Sequence, residues 1–126
     1  KDNCLSIFKN NFPSAHMGWS FSQKDIAEYY NLYLKLMNFW NSKISNDIYN
    51  ANYENIVQDK ETEIKKIIEF CDLEWDPACL SHHKKNKTPI STVSVTQARK
   101  PIYSSSLNSN NNYTKYLSEL FSALNK

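Results

Sequence analysis

Most of the chain repeats its apolar positions every three or four residues, the spacing that gathers side chains on one face of an α-helix. DNCLSIFKN (2–10) reads as a short helix with Leu5 and Phe8 on one face. Asp2 falls in its first turn, where a carboxylate meets the positive end of the helix dipole. A loop follows through Pro13 and Gly18. Ser22 with Asp25 three residues later has the form of a helix-opening cap. The helix it opens carries the broadest apolar stripe in the chain: Ile26, Tyr29, Tyr30, Tyr33, Leu34, Met37 and Trp40. Core packing is the expected use of that stripe.

Beyond it the period changes. DIYNANY (47–53) sets Ile48, Asn50 and Asn52 against Tyr49, Ala51 and Tyr53, the alternation of a short strand. Asp59 is placed to cap a second amphipathic helix, with Ile64, Ile67, Ile68 and Cys71 inward and Glu61, Glu63, Lys65 and Lys66 outward. WDPACL puts Asp76 at an N-cap and Pro77 at the first helical position. Residues 84–94 and the asparagine-rich 107–112 read as loops. Tyr113, Tyr116, Leu117, Leu120, Phe121 and Leu124 restore the helical stripe. A single strand cannot satisfy its own backbone, so this pattern predicts a piece of a larger sheet-containing domain.

Composition narrows the classes. The 126 residues, 40% hydrophobic and 13% aromatic, suffice for one packed domain. A net charge of +2 gives little general attraction to nucleic acid, and no apolar run has the length of a membrane span. KKNK (84–87), with no aromatics interleaved, reads as a solvated loop rather than a nucleic-acid patch. Three cysteines without a disulfide rhythm suggest reduced thiols in a cytoplasmic protein. A single glycine, Gly18, excludes a Gly-rich phosphate loop within these residues.

Cys71, Cys79, His82 and His83 are spaced C-x7-C-x2-H-H, which lacks the paired hook of structural zinc sites and does not support a metal site. The histidines form no nucleophile–base arrangement by spacing and read as solvent-facing residues at a helix end. Two places carry more chemistry. Tyr53 with Glu54, at the end of the expected strand, fits either core packing or a ring stacked on a flat base. VSVTQARKPIY (93–103) puts Arg99, the only arginine among 15 basic residues, beside a hydroxyl-rich strip and a proline turn. It reads as a phosphate-binding edge or as a loop braced by Arg99 against a carboxylate.

Four stretches together carry a resemblance: KDNCLSIFKNNF (1–12), YYNLYLKLMNFW (29–40), YENIVQDKETEIKKIIEFCDLEWDPACL (53–80) and TVSVTQARKPIYSSSL (92–107). In order and spacing the chain resembles the C-terminal half of sulfotransferases that use 3′-phosphoadenosine 5′-phosphosulfate. The bacterial members often fused to tetratricopeptide repeats, related to tyrosylprotein sulfotransferases, are the nearest in pattern. The resemblance implies an α/β, P-loop-like fold, with residues 1–126 forming the mostly helical C-terminal part of a single domain. It also implies transfer of a sulfuryl group to an acceptor hydroxyl or amine, without a metal.

Within that resemblance Ser6 matches the serine that, with the N-terminus of its helix and an Arg-x-Pro expected just before Lys1, holds the 3′-phosphate. Tyr53 matches the tyrosine on the adenine. Ser94, Gln97, Arg99 and Lys100 match the segment closing over the adenosine and 3′-phosphate, Ser94 foremost. The phosphosulfate loop and the catalytic acid–base residues are expected upstream, so no catalytic residue is assigned and this piece alone is expected not to catalyse. The family's basic-aromatic Gly-Arg-Trp trio is replaced here by Asn108-Ser109-Asn110, and Asn10 stands where tyrosylprotein sulfotransferases have an arginine. These departures keep a second expectation open, a truncated non-catalytic helical interaction module derived from the same family.

Overall fold

The computed structural model describes residues 1–12, 14–85 and 99–124. They form two compact units, Lys1–Ser45 with Ser106–Lys126, and Asn46–Ser105.

In the first unit, α1 (Asp2–Lys9) leads through a 3-10 segment (Ala15–Phe21) into the 22-residue α2 (Gln23–Ile44). The expected cap is present: the Ser22 hydroxyl accepts from the Asp25 N–H at 3.2 Å. The returning strand of chain forms a 3-10 turn (Ser109–Tyr113), where the sequence suggested a loop, and then a short α-helix, which we number α6 (Ser118–Ala123). Cys4, Leu5, Ile26, Ala27, Leu117, Leu120 and Leu124 are the buried core, with Phe8, Trp19, Tyr30 and Phe121 packed around it. Trp19 stacks flat on Tyr29, ring centroids 4.1 Å apart.

α6 has no side-chain cap of its own. Gln23 of α2 takes that role from 97 residues away. Its Oε1 accepts from the Leu120 N–H at 3.2 Å and its Nε2 donates to the Tyr116 carbonyl at 3.0 Å. At the other end, Asn31 Nδ2 donates to the Ala123 carbonyl at 2.8 Å. One orphan group at each end of α6, the Leu120 N–H and the Ala123 carbonyl, is thus met by a side chain of α2.

The aromatic stripe of α2 corrects the expectation of core packing. Of the stripe only Ile26 is fully buried; Tyr30, Leu34 and Met37 are half-buried, and Tyr29, Tyr33 and Trp40 are exposed. α2 runs on for several turns past the short α6, and its two fully buried residues, Ile26 and Ala27, lie at its N-terminal end.

In the second unit, α3 (Tyr53–Gln58), α4 (Lys60–Phe70), a 3-10 turn (Pro77–Ser81) and α5 (His82–Lys85) follow one another. Asp59 caps α4, accepting from the Thr62 N–H at 3.2 Å, and Asp76 accepts from the Ala78 N–H at 2.7 Å, both as the sequence predicts. Lys65 pairs with Glu61 and lies over the Trp75 ring. Among the described residues of this unit none is fully buried. Cys71, read as inward-facing, is exposed because α4 ends at Phe70 and Cys71 turns out of the helix as its C-cap.

The α/β expectation is overturned. Among the described residues there is no strand, and the elements are helical throughout. The segment read as a strand is irregular over 48–52 and then enters α3. Its asparagines explain the difference. Asn is depleted in strands and favoured at helix starts, and here the Asn52 side chain accepts from the Asn55 N–H at 3.1 Å. That bond commits Tyr53 to the first helical turn. No second strand among the described residues offers the backbone groups a ladder requires.

Candidate functional site

Ser6 stands on the second turn of α1, exposed to solvent. Cys4 and Leu5, its neighbours, are buried and fix the helix to the core, which leaves Ser6 on the opposite, open side. The backbone carbonyl of Ser6 accepts from Asn10 Nδ2 at 2.7 Å, and this bond finishes the helix. Burial pushes the Cys4 thiol above its ordinary pKa, so this cysteine is a packing group and not a thiolate nucleophile at neutral pH.

Asp2, one turn before Ser6, has a larger role than the dipole interaction expected of it. Its Oδ1 accepts from the Ser109 hydroxyl at 2.9 Å, the Asn110 N–H at 2.8 Å and Asn110 Nδ2 at 3.0 Å. Its Oδ2 accepts from the Asn108 N–H at 2.9 Å. Asn108 is left-handed (φ 57, ψ 17), a conformation asparagine tolerates better than most residues. The amides of 108 and 110 thereby converge on one carboxylate, as in the concave backbone nests that bind anions. Burial acts to raise the Asp2 pKa, but the bonds from Asn110, Ser109 and Asn108 together outweigh it and hold the carboxyl below its ordinary value.

Tyr53, expected at the end of a strand, is instead the first residue of α3. Its hydroxyl donates to the Tyr103 carbonyl at 2.8 Å, while the residue stays 40% exposed. The ring is therefore oriented by its own hydroxyl and tied to the Pro101-Ile102-Tyr103 stretch. Arg99 and Lys100 lie exposed in the turn leading into Pro101. Among the described residues no carboxylate pairs with Arg99. Ser94 and Gln97 lie outside the described residues. Of the residues singled out in the sequence, Tyr53 is thus joined to the segment that carries Arg99 and Lys100. Ser6 belongs to the other unit.

A shallow cleft of about 460 Å³ opens between the end of α4 and Trp75, lined by Ile68 and Leu73 together with Lys65, Glu69, Asp72 and Glu74. It contains none of the residues proposed from the sequence to contact the nucleotide. Among the described residues no three His, Cys, Asp or Glu side chains are grouped to hold a metal ion. No described helix is long and apolar enough to cross a membrane.

A model of the sulfotransferase family matches residues 1–77, which include Ser6 and Tyr53. The chain belongs to that family. An uncharacterized protein of Aquifex aeolicus (strain VF5) is 32% identical over 125 residues, 98% of this chain and 16% of that protein. The chain thus spans under a fifth of the length of the relative it matches. No solved structure matches the chain.

The contact between Asp2 and Asn108–Asn110 is what sequence reasoning missed. The trio registers in the sequence only as a departure from a basic motif. A bond between residues 106 to 108 positions apart leaves no local signal.

Proposed function

We propose that the protein containing these residues transfers a sulfuryl group from 3′-phosphoadenosine 5′-phosphosulfate to an acceptor hydroxyl or amine, and that this chain supplies contacts to the nucleoside and 3′-phosphate of the donor. In the transfer the acceptor oxygen or nitrogen forms a bond to sulfur. The bond from sulfur to the bridging phosphate oxygen breaks, 3′-phosphoadenosine 5′-phosphate leaves, and the acceptor proton passes to a base. The chain's own part is to bind and orient. Ser6 would donate its hydroxyl to the 3′-phosphate. Tyr53 would present a ring face to the adenine, and Ser94, Gln97, Arg99 and Lys100 would supply polar and cationic partners. The domain organisation we infer is a single sulfotransferase domain of which residues 1–126 are the C-terminal part. The identity of the acceptor and any fused tetratricopeptide repeats belong to the same proposal.

The observation that carries this reading is Ser6, solvent-exposed on a helix whose opposite side is locked in the core, within the family-matched residues. Calorimetry on the full-length protein tests it. The protein should bind 3′-phosphoadenosine 5′-phosphate in preference to 5′-AMP, and Ser6→Ala should weaken the former by about 1–2 kcal/mol. Equal binding of the two nucleotides, or unchanged affinity in the variant, would refute the site.

The exposed apolar face of α2 favours the second reading, a non-catalytic interaction module. A protein with that role would bind neither nucleotide.

A further inference from the structure

We propose that Asp2 and Asn108-Ser109-Asn110 form a charge-masking clasp, in which the trio is held on α1 and in return aims its donor dipoles at the ionised carboxylate, screening a charge that would otherwise repel a phosphate bound at Ser6. The inference rests on the proposed function and deepens it, because it assigns a role to the residues that replace the family's basic trio.

The argument starts from spacing. Residues four apart on a helix lie on one face, separated by roughly 6 Å along the axis. That is inside the screening length of about 8 Å at physiological salt, so an unmasked carboxylate at Asp2 would oppose an anion at Ser6. Asp2 is not unmasked. Three donors converge on Oδ1 and a fourth meets Oδ2, at distances of 2.8–3.0 Å. Two of them are backbone amides turned inward by the left-handed Asn108. Lys9 adds a second attachment between the same two elements, its Nζ 5.1 Å from the centre of the Tyr113 ring.

The donor accounting has a consequence for the phosphate. The Asn108 and Asn110 backbone amides and the Ser109 hydroxyl all donate to Asp2, so these donors are not offered to a ligand. Where a basic trio would contact the nucleotide, this trio acts by removing an obstacle. Asp2 and the trio are positioning residues, and Ser6 is the contact.

The test compares 3′-phosphoadenosine 5′-phosphate with 5′-AMP by calorimetry on the full-length protein and three variants. Ser109→Ala with Asn110→Ala strips two donors and leaves the charge in place. Affinity for the 3′-phosphate nucleotide should then fall about tenfold, with 5′-AMP binding unchanged. Adding Asp2→Asn to that pair removes the charge and should recover affinity to within about threefold of the unaltered protein. Asp2→Asn alone should keep the preference while lowering the melting temperature. An unrecovered loss, or equal loss on both nucleotides, means the trio is merely structural and overturns the clasp. So does a pair variant that binds like the parent. If the unaltered protein shows no preference between the nucleotides, the proposed function itself fails and the masking role goes with it.

Discussion

Asp2 is ionised within a ring of donors, and that makes one residue answer to pH. The group is held below its ordinary value of 3.8 in the folded chain. Folding therefore favours its charged form, and the stabilisation is fully present above the unfolded value. It is lost as pH falls through the folded value. Between pH 7 and 5 the stability of the unit containing α1 should not respond to this group, and below about 4 it should fall. Asp2→Asn cannot titrate, so the stability difference between parent and variant should be constant from pH 7 to 5 and shrink towards pH 3. Urea midpoints of both proteins across that range measure it. A difference that stays flat to pH 3 would show that the four bonds do not distinguish the carboxylate from the acid.

At the scale of elements, the helices open where hydrogen-bonding side chains were visible in the sequence. Ser22, Asp59 and Asp76 each accept the backbone N–H expected of them, because a cap needs only a residue and its neighbour two or three positions on. The supposed strand shows the opposite case. Its alternation of Ile48, Asn50 and Asn52 was legible, but pairing depends on a partner that no local pattern reveals. The Asn52 cap, itself a local device, won. The α6 helix was visible from Leu117, Leu120 and Leu124, whereas its cap was not, since Gln23 reaches it through the fold. Of the proposed site, Ser6 and Tyr53 were singled out by their surroundings in sequence, and the bonds of Asp2 to Asn108–Asn110 were hidden by distance along the chain.

Gln23 gives this level its prediction. Gln23→Ala removes the acceptor for the Leu120 N–H and the donor to the Tyr116 carbonyl, at a helix with no cap of its own. The expected cost is about 1–2 kcal/mol in denaturant unfolding, as for loss of an N-cap. Lys24→Ala, next along α2 and engaged only in an exposed pair with Glu28, should stay within about 0.5 kcal/mol of the parent. If both variants behave alike, Gln23 is a bystander and α6 is held by Leu120 packing alone.

Across the whole molecule burial is unequal. Every fully buried described residue lies in the unit of α1, α2 and α6, while the described residues of Asn46–Ser105 reach partial burial at most. Local stability follows buried apolar contact, so the two units should open at different free energies. α4 has 11 residues, a length at which a helix in water is marginal without packing, and its Glu61–Lys65 pair is exposed enough to add only tenths of a kcal/mol. Its amides, at Ile67 and Ile68 for example, should exchange with solvent well before those of Ile26 and Ala27. Native-state hydrogen exchange at low denaturant reads both. Saturating 3′-phosphoadenosine 5′-phosphate should slow exchange around Tyr53, because a ligand bound only to the closed form stabilises that form by mass action. Equal exchange in the two units would mean that Asn46–Ser105 draws stability from something other than its own packing. Slower exchange on adding 5′-AMP to the same extent would show that the effect owes nothing to the 3′-phosphate.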